Sequence, residues 1–171
     1  HLKPASQAMS EAQLMQALGS SASSAEGRFF PDTYAYSRGV SDLTVLKRAH
    51  AAMQRRLDAI WAQRAADTPL QSADQALILA SIVEKETGPR DDPGLVAAVF
   101  LNRLRIGMPL QTDPTVIYGL TKGKGVLGRG LRQSELRSNT PYNTYVIDGL
   151  PPGPIANPGE IPEMVQFLAS E

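Results

Sequence analysis

Two carboxylates close the most apolar stretch of the chain: Glu84 and Glu86 follow the run Ala76-Leu77-Ile78-Leu79-Ala80-Ser81-Ile82-Val83. On a helix, residues two apart point about 200° from each other, so these acids face opposite ways and cannot form a close dyad. At most one of them acts on a given substrate. Glu84 shares a face with Leu77, Ala80 and Ser81, in line with the apolar body of the helix, whereas Glu86 falls nearer Leu79, Ile82 and Val83. A carboxyl group buried at Glu84 loses hydration, and the negative end of the helix dipole acts in the same direction, so both effects raise its pKa. An acid kept protonated near neutral pH is what general-acid cleavage of a glycoside needs. The structural alternative is that Glu84 or Glu86 pairs with Lys85, Arg90 or Arg103 at a helix end.

Other chemistries find little support. There is no cysteine, which removes disulfides, thiolate metal sites and cysteine nucleophiles, and leaves His1 and His50 as isolated soft ligands, so no metal site is expected. Seventeen basic residues balance seventeen acidic ones, so no net field points to nucleic acid or to an anionic surface. Gly123-Lys124-Gly125 lacks the spacing and the Lys-Ser/Thr ending of a phosphate loop and is expected to be a mobile surface loop.

The elements that must position the acid follow from periodicity and capping. With 171 residues, 42% hydrophobic and 20% charged, the chain is long and apolar enough for one core. Ser10 to Gln13 has capping-box spacing ahead of a short helix, and Ser20 to Ser24 should form a loop. Leu46, Ala49, Met53, Leu57 and Ile60 make one stripe of an amphipathic helix from Asp42 to about Arg64, with Lys47, Arg48, Arg55 and Arg56 on its solvated face. Ser72 caps the apolar helix, which Gly88 and Pro89 end, and its all-round apolarity predicts burial. Asp92 with Pro93 opens a further helix ending near Gly107. Beyond Met108, Gly and Pro separate short pieces expected to be strands, at Thr115 to Tyr118 and Tyr142 to Ile147. The longest apolar run is far too short to cross a bilayer, and a soluble piece is expected.

Four segments in order carry a specific resemblance. They are Glu26-Gly27-Arg28-Phe29-Phe30-Pro31-Asp32-Thr33-Tyr34; Ala80 to Thr87 around Glu84; Leu110-Gln111-Thr112-Asp113-Pro114 through Gly119; and Pro141-Tyr142-Asn143-Thr144-Tyr145 leading into Gly149 to Gly159. Together they resemble the MltG (YceG-like) endolytic murein transglycosylases. The resemblance implies a peptidoglycan lytic transglycosylase that cuts MurNAc-GlcNAc bonds without water, leaves 1,6-anhydroMurNAc ends, and so terminates or trims nascent strands. It places the catalytic acid on Glu84 and implies no cofactor. Gln111, Thr112, Asp113, Tyr142, Asn143 and Tyr145 offer the amide, hydroxyl and aromatic groups that bind and stack on sugars; Asp113 has the alternative of capping a turn before Pro114. Pattern and resemblance jointly imply an α+β fold with a helical, lysozyme-like core, short strands and Gly/Pro-rich loops.

Family likeness also implies glycan strands and peptidoglycan synthases as partners, no nucleic acid, and a membrane-anchored full-length protein at the periplasmic face of the bacterial inner membrane. Residues 1–25 are expected to be the remnant of a preceding subdomain and linker, and residues 26–171 the catalytic domain, divergent or truncated after Gly159. Arg28 stands where the family has an aromatic residue. Three other readings stay open: a glycan-binding remnant that does not cut, a glycoside hydrolase, and a pyridoxal-phosphate-dependent aminodeoxychorismate lyase, for which Lys85 is the only lysine beside the motif helix and no phosphate cradle follows.

Overall fold

A computed structural model describes residues 1–156, in which six helices follow one another: α1 (Glu11–Ala17), α2 (Asp42–Trp61), α3 (Ala73–Glu86), α4 (Pro93–Arg105), α5 (Asp113–Thr121) and α6 (Gln133–Leu136). The first four begin where the sequence places them. Ser10 and Gln13 form a reciprocal capping box, Ser41 and Ser72 accept backbone N–H bonds from Leu43 and Gln75, and Asp92 accepts from Gly94 ahead of Pro93. Each such cap satisfies a donor that the first helical turn leaves without a partner, for about 1 kcal/mol.

Helix α3 is the centre of the molecule. Its residues from Ala76 to Val83 are all buried, and α2, α4 and α5 each pack against it. The core joins them through Met53 and Leu57 of α2, Ala97, Phe100 and Leu101 of α4, and Leu110 and Ile155 from the loops. Fully burying a Leu or Ile side chain contributes about 1.5–3 kcal/mol, so α3 holds its place by packing on all sides.

The strands of the α+β expectation are absent among the described residues, where the only bridge pairs Lys3 with Ser41. Thr115 to Tyr118 lie inside α5 instead. Pro114 in the first turn presets helical φ, and the Thr115 hydroxyl donates to the Thr112 carbonyl at 2.7 Å; these outweigh the strand preference of Thr-Val-Ile. Tyr142 to Ile147 form turns, because the Asn143 side-chain oxygen takes the Tyr145 N–H at 3.0 Å and the Asn143 carbonyl takes those of Val146 and Ile147. Such local bonds compete with a ladder.

The N-terminal segment docks on the start of α2. The Asp42 carboxylate accepts the N–H groups of Ala5 and Ser6 and, at 2.6 Å, the Ser6 hydroxyl. Among the described residues, no helix is long and apolar enough to cross a membrane. The end of the fourth motif, Asn157 to Gly159, and the divergent stretch Glu160 to Glu171 lie outside the described residues.

Candidate active site

The last turn of α3 sends three charged side chains in three directions. Glu84 is half-buried, and one of its carboxylate oxygens, Oε2, is shut off from solvent. One turn earlier on the same face, the buried Ser81 hydroxyl donates to the Ile78 carbonyl and accepts the Ile155 N–H at 3.0 Å, so the proline-rich tail hangs from the helix beside the acid. Lys85 is exposed and turns toward a cavity bordered by α5. Glu86, also exposed, accepts the Thr112 hydroxyl at 2.7 Å.

That bond ties α3 to the third motif. Thr112 is buried ahead of α5, and because its hydroxyl is committed to Glu86 it makes no side-chain cap there. Behind it lies a buried hydroxyl cluster: the Thr115 and Thr144 hydroxyls are 2.8 Å apart, and Thr144 Oγ1 accepts the Thr112 N–H at 3.1 Å. Gln111, exposed beside it, adopts φ 51°, left-handed backbone that costs a non-glycine residue about 1 kcal/mol or more. The surroundings impose it: Leu110 on one side and Thr112 on the other are buried, and the Gln111 N–H donates to the Thr144 carbonyl at 3.0 Å.

Asp113, at the start of α5, accepts the Tyr145 hydroxyl at 2.7 Å rather than capping a turn. This bond, burial, and the nearby charges of Asp113 and Glu86 push the Tyr145 phenol up to about 12, against the opposing charge of Arg103. Tyr145 therefore stays a protonated donor at any working pH. Glu86, Thr112, Asp113 and Tyr145 thus form one continuous polar face past the end of α3, with Gln111 at its edge.

Asn143 is wholly buried behind that face. Its amide nitrogen donates to the carbonyls of Glu135, Leu136 and Ser138, at 3.2, 3.1 and 2.7 Å, and so clamps α6 to the fourth motif. The Glu135 carboxylate is itself held by Arg129 at 2.9 and 2.5 Å and by the Arg132 N–H at 2.7 Å, which keep its carboxyl down at about 2, below the ordinary 4.5. A group whose folded pKa is depressed stabilises the fold above its unfolded value and loses that contribution as pH falls through the folded one. The difference in melting temperature between the parent and Glu135→Gln is therefore expected to be full near neutral pH and to shrink between about pH 4.5 and about pH 2. Thermal unfolding across that range checks it; a difference that stays flat would break the assignment.

Tyr142 sits apart from that face. Its ring centroid is 4.9 Å from that of Tyr118 on α5, with the Lys122 ammonium 4.8 Å from its ring centre. The first motif reaches the same region: Gly27 (φ 69°) runs so close to the tail that a Cβ there would lie 3.1 Å from Pro154. Arg28, which stands where the resembled family has an aromatic residue, pairs its guanidinium with Asp74 in the first turn of α3, while its carbonyl lies 3.0 Å from His50 Nδ1. Glu26 and Tyr118 are not among the site residues expected from the sequence, and Lys85 is weighed there only as a Schiff-base lysine or an ion-pair partner. All three stand inside the quoted motifs, and that is the available signal. Among the described residues no three His, Asp or Glu side chains converge to hold a metal.

Known proteins resemble this chain in sequence and in fold. The model of the YceG-like family covers residues 2–161. An endolytic murein transglycosylase of Bacillus subtilis (strain 168) is 36% identical over 134 residues, 78% of this chain and 36% of that protein. One from Streptococcus pneumoniae serotype 2 (strain D39) is 32% identical over 138 residues, 78% of this chain and 24% of its own length. A crystal structure of a yceG-like protein from Listeria monocytogenes superposes with a TM-score of 0.67 at 34% identity, covering 85% of this chain and 46% of that one. The chain thus spans less than half the length of each of these relatives.

Proposed function

Since the chain belongs to the YceG-like family, we propose that it cuts peptidoglycan glycan strands internally as a lytic transglycosylase, with Glu84 as its one acid and base. The observation that carries this reading is a half-buried carboxyl group, one oxygen shut off from solvent, directly after the buried run Ala76 to Val83 of α3 in a chain of this family. Withdrawing a carboxyl group from water favours the protonated form that the first step consumes.

In that step Glu84 gives its proton to the glycosidic oxygen as the bond from the MurNAc C1 breaks. The 6-hydroxyl of the same sugar then attacks C1, and the Glu84 carboxylate takes the hydroxyl proton. The acid is restored and the strand ends in 1,6-anhydroMurNAc. Because the nucleophile comes from the substrate, no second carboxylate is needed, unlike in hydrolases that use a pair. This agrees with the opposed directions of Glu84 and Glu86.

Gln111, Asp113 and Tyr145 offer polar groups to the sugars, and Tyr142 offers a stacking face. Thr112 and Asn143 serve through what they hold: the Glu86 carboxylate in one case, the turn bearing Tyr145 in the other. Helices packed around a central acid-bearing helix support the lysozyme-like comparison for the core. Residues 26–171 are the catalytic portion of this proposal, and residues 1–25 the end of a preceding subdomain and linker. The same reading places the whole protein, membrane-anchored, at the periplasmic face of the inner membrane, beside peptidoglycan synthases.

Mass spectrometry of products from purified glycan strands in H₂¹⁸O tests the reaction. Internal fragments with anhydro ends and no ¹⁸O are expected. Reducing ends carrying ¹⁸O would make this a hydrolase, and retained but uncut strands would make it a binding remnant.

A further inference from the structure

The strand is not only sugar: each MurNAc bears a peptide on its lactyl group, so a peptide hangs from the very residue whose C1 reacts. We propose that the cavity between the last turn of α3, α5 and the glycine-rich loop after α5 is a subsite for that stem peptide, with Glu26 and Lys85 contacting its charged groups. This inference rests on the reading that the chain acts on peptidoglycan.

Position comes first. Lys85 follows Glu84 directly, and Ile155, hung from Ser81 one turn before the acid, lines the cavity too. One helical turn is about 5.4 Å, so two residues that line the cavity are held within one turn of the proposed acid along α3. A group attached to the reacting sugar must lie this near.

Composition comes second. The cavity holds about 530 Å³, within the range of sites that enclose small ligands. Its walls are apolar at Ile117, Val126 and Leu127, while Glu26 and Lys85 bring opposite charges into it. The N-acetylated pyranose rings of a glycan strand carry no charge. Stem peptides bring carboxylates, ammonium groups and small apolar side chains, which Lys85, Glu26 and the apolar wall match in turn. Arg129, also at the cavity, is already engaged by Glu135.

The loop is shaped around this carboxylate. Gly123 has φ 71°, and a Cβ there would lie 3.3 Å from the Tyr118 ring and 3.6 Å from Glu26 Oε2. The glycine thus lets the loop close over Glu26 and Tyr118, which gives Gly123-Lys124-Gly125 a role that a surface loop does not need. Burial, and the charge of Glu11, push the Glu26 carboxyl up, against the opposing charge of Lys85. A partly desolvated carboxylate interacts more strongly with a charged ligand than an exposed one does.

Calorimetric titration with a soluble disaccharide-tetrapeptide, and with the same disaccharide lacking the peptide, tests the proposal. The parent is expected to bind the peptide-bearing compound at least about tenfold more tightly. Lys85→Ala and Glu26→Gln should each remove most of that preference. Val126 is 93% exposed at the rim, so Val126→Glu tests the cavity without touching the core, and its added carboxylate should repel peptide carboxylates and lower the preference as well. Equal affinity of the parent for both compounds overturns the subsite, as does a preference that survives all three variants. Cleavage of peptide-free strands, run in parallel, separates the two claims: cutting without peptide preference sinks only the subsite, whereas no binding and no cutting sinks the activity with it.

Discussion

Glu84→Gln is expected to slow strand cleavage by about 10²–10⁴-fold, the usual contribution of a positioned general acid–base, while the protein stays folded. The amide matches the carboxylic acid in size and shape, so packing at the end of α3 changes little. What it lacks is a proton it can release to the glycosidic oxygen and a carboxylate that can take one from the 6-hydroxyl. Both half-steps fail together, so kcat should fall with little change in KM. Glu86→Gln is the matching control. Its amide oxygen can still accept the Thr112 hydroxyl, so the polar face persists and activity should fall by less than about tenfold. Reversed results, with Glu84→Gln active and Glu86→Gln dead, would move the acid to the other face of the helix.

The two acids differ through their setting rather than their chemistry. Glu84 lies on the face that carries Ser81 and the anchored tail, and one of its oxygens is closed off from water. Glu86 stands exposed and spends its hydrogen bond holding the third motif. One turn of helix thus supplies the proposed reactive group, a polar anchor and, at Lys85, an entrance to the neighbouring cavity. The three directions follow from 100° per residue and need no further arrangement.

Much of this was legible before any coordinates. Ser10, Ser72 and Asp92 mark helix starts because a cap acts within three residues, and the burial of α3 follows from an apolar run with no polar face. Where the outcome depended on distant partners, local pattern misled. Thr115-Val116-Ile117 looks like a strand until Pro114 is read as a first-turn residue, and only the fold shows the Thr144 hydroxyl 2.8 Å from that of Thr115. Asn143 reads as a sugar ligand by type, yet its amide nitrogen is taken up by three carbonyls five to eight residues back. Glu26 and Lys85 are far apart in the chain and meet at one cavity through packing that no periodicity encodes. Arg28 takes the place of the family's aromatic residue, and its pairing with Asp74 pins the first motif to the start of α3 by charge.

If packing and chemistry are separable in α3, then Leu79→Ala should do the reverse of Glu84→Gln. Leu79 is wholly buried, and truncating such a side chain costs about 2–5 kcal/mol, a large part of the 5–15 kcal/mol that keeps a domain folded. For a chain of this size the melting temperature should fall by roughly 5–15 °C, readable by circular dichroism. Leu79 precedes Glu84 by five residues, so it points about 140° away from the acid, and the cavity it leaves opens on the far side of the helix. Below its lowered melting point the variant should therefore cut strands at a rate within a few-fold of the parent. Activity lost while the dichroism is still native would mean that the far side of α3 also sets the position of Glu84. Activity kept up to the melting point would show that the burial of α3 holds the helix while its last turn carries the reaction.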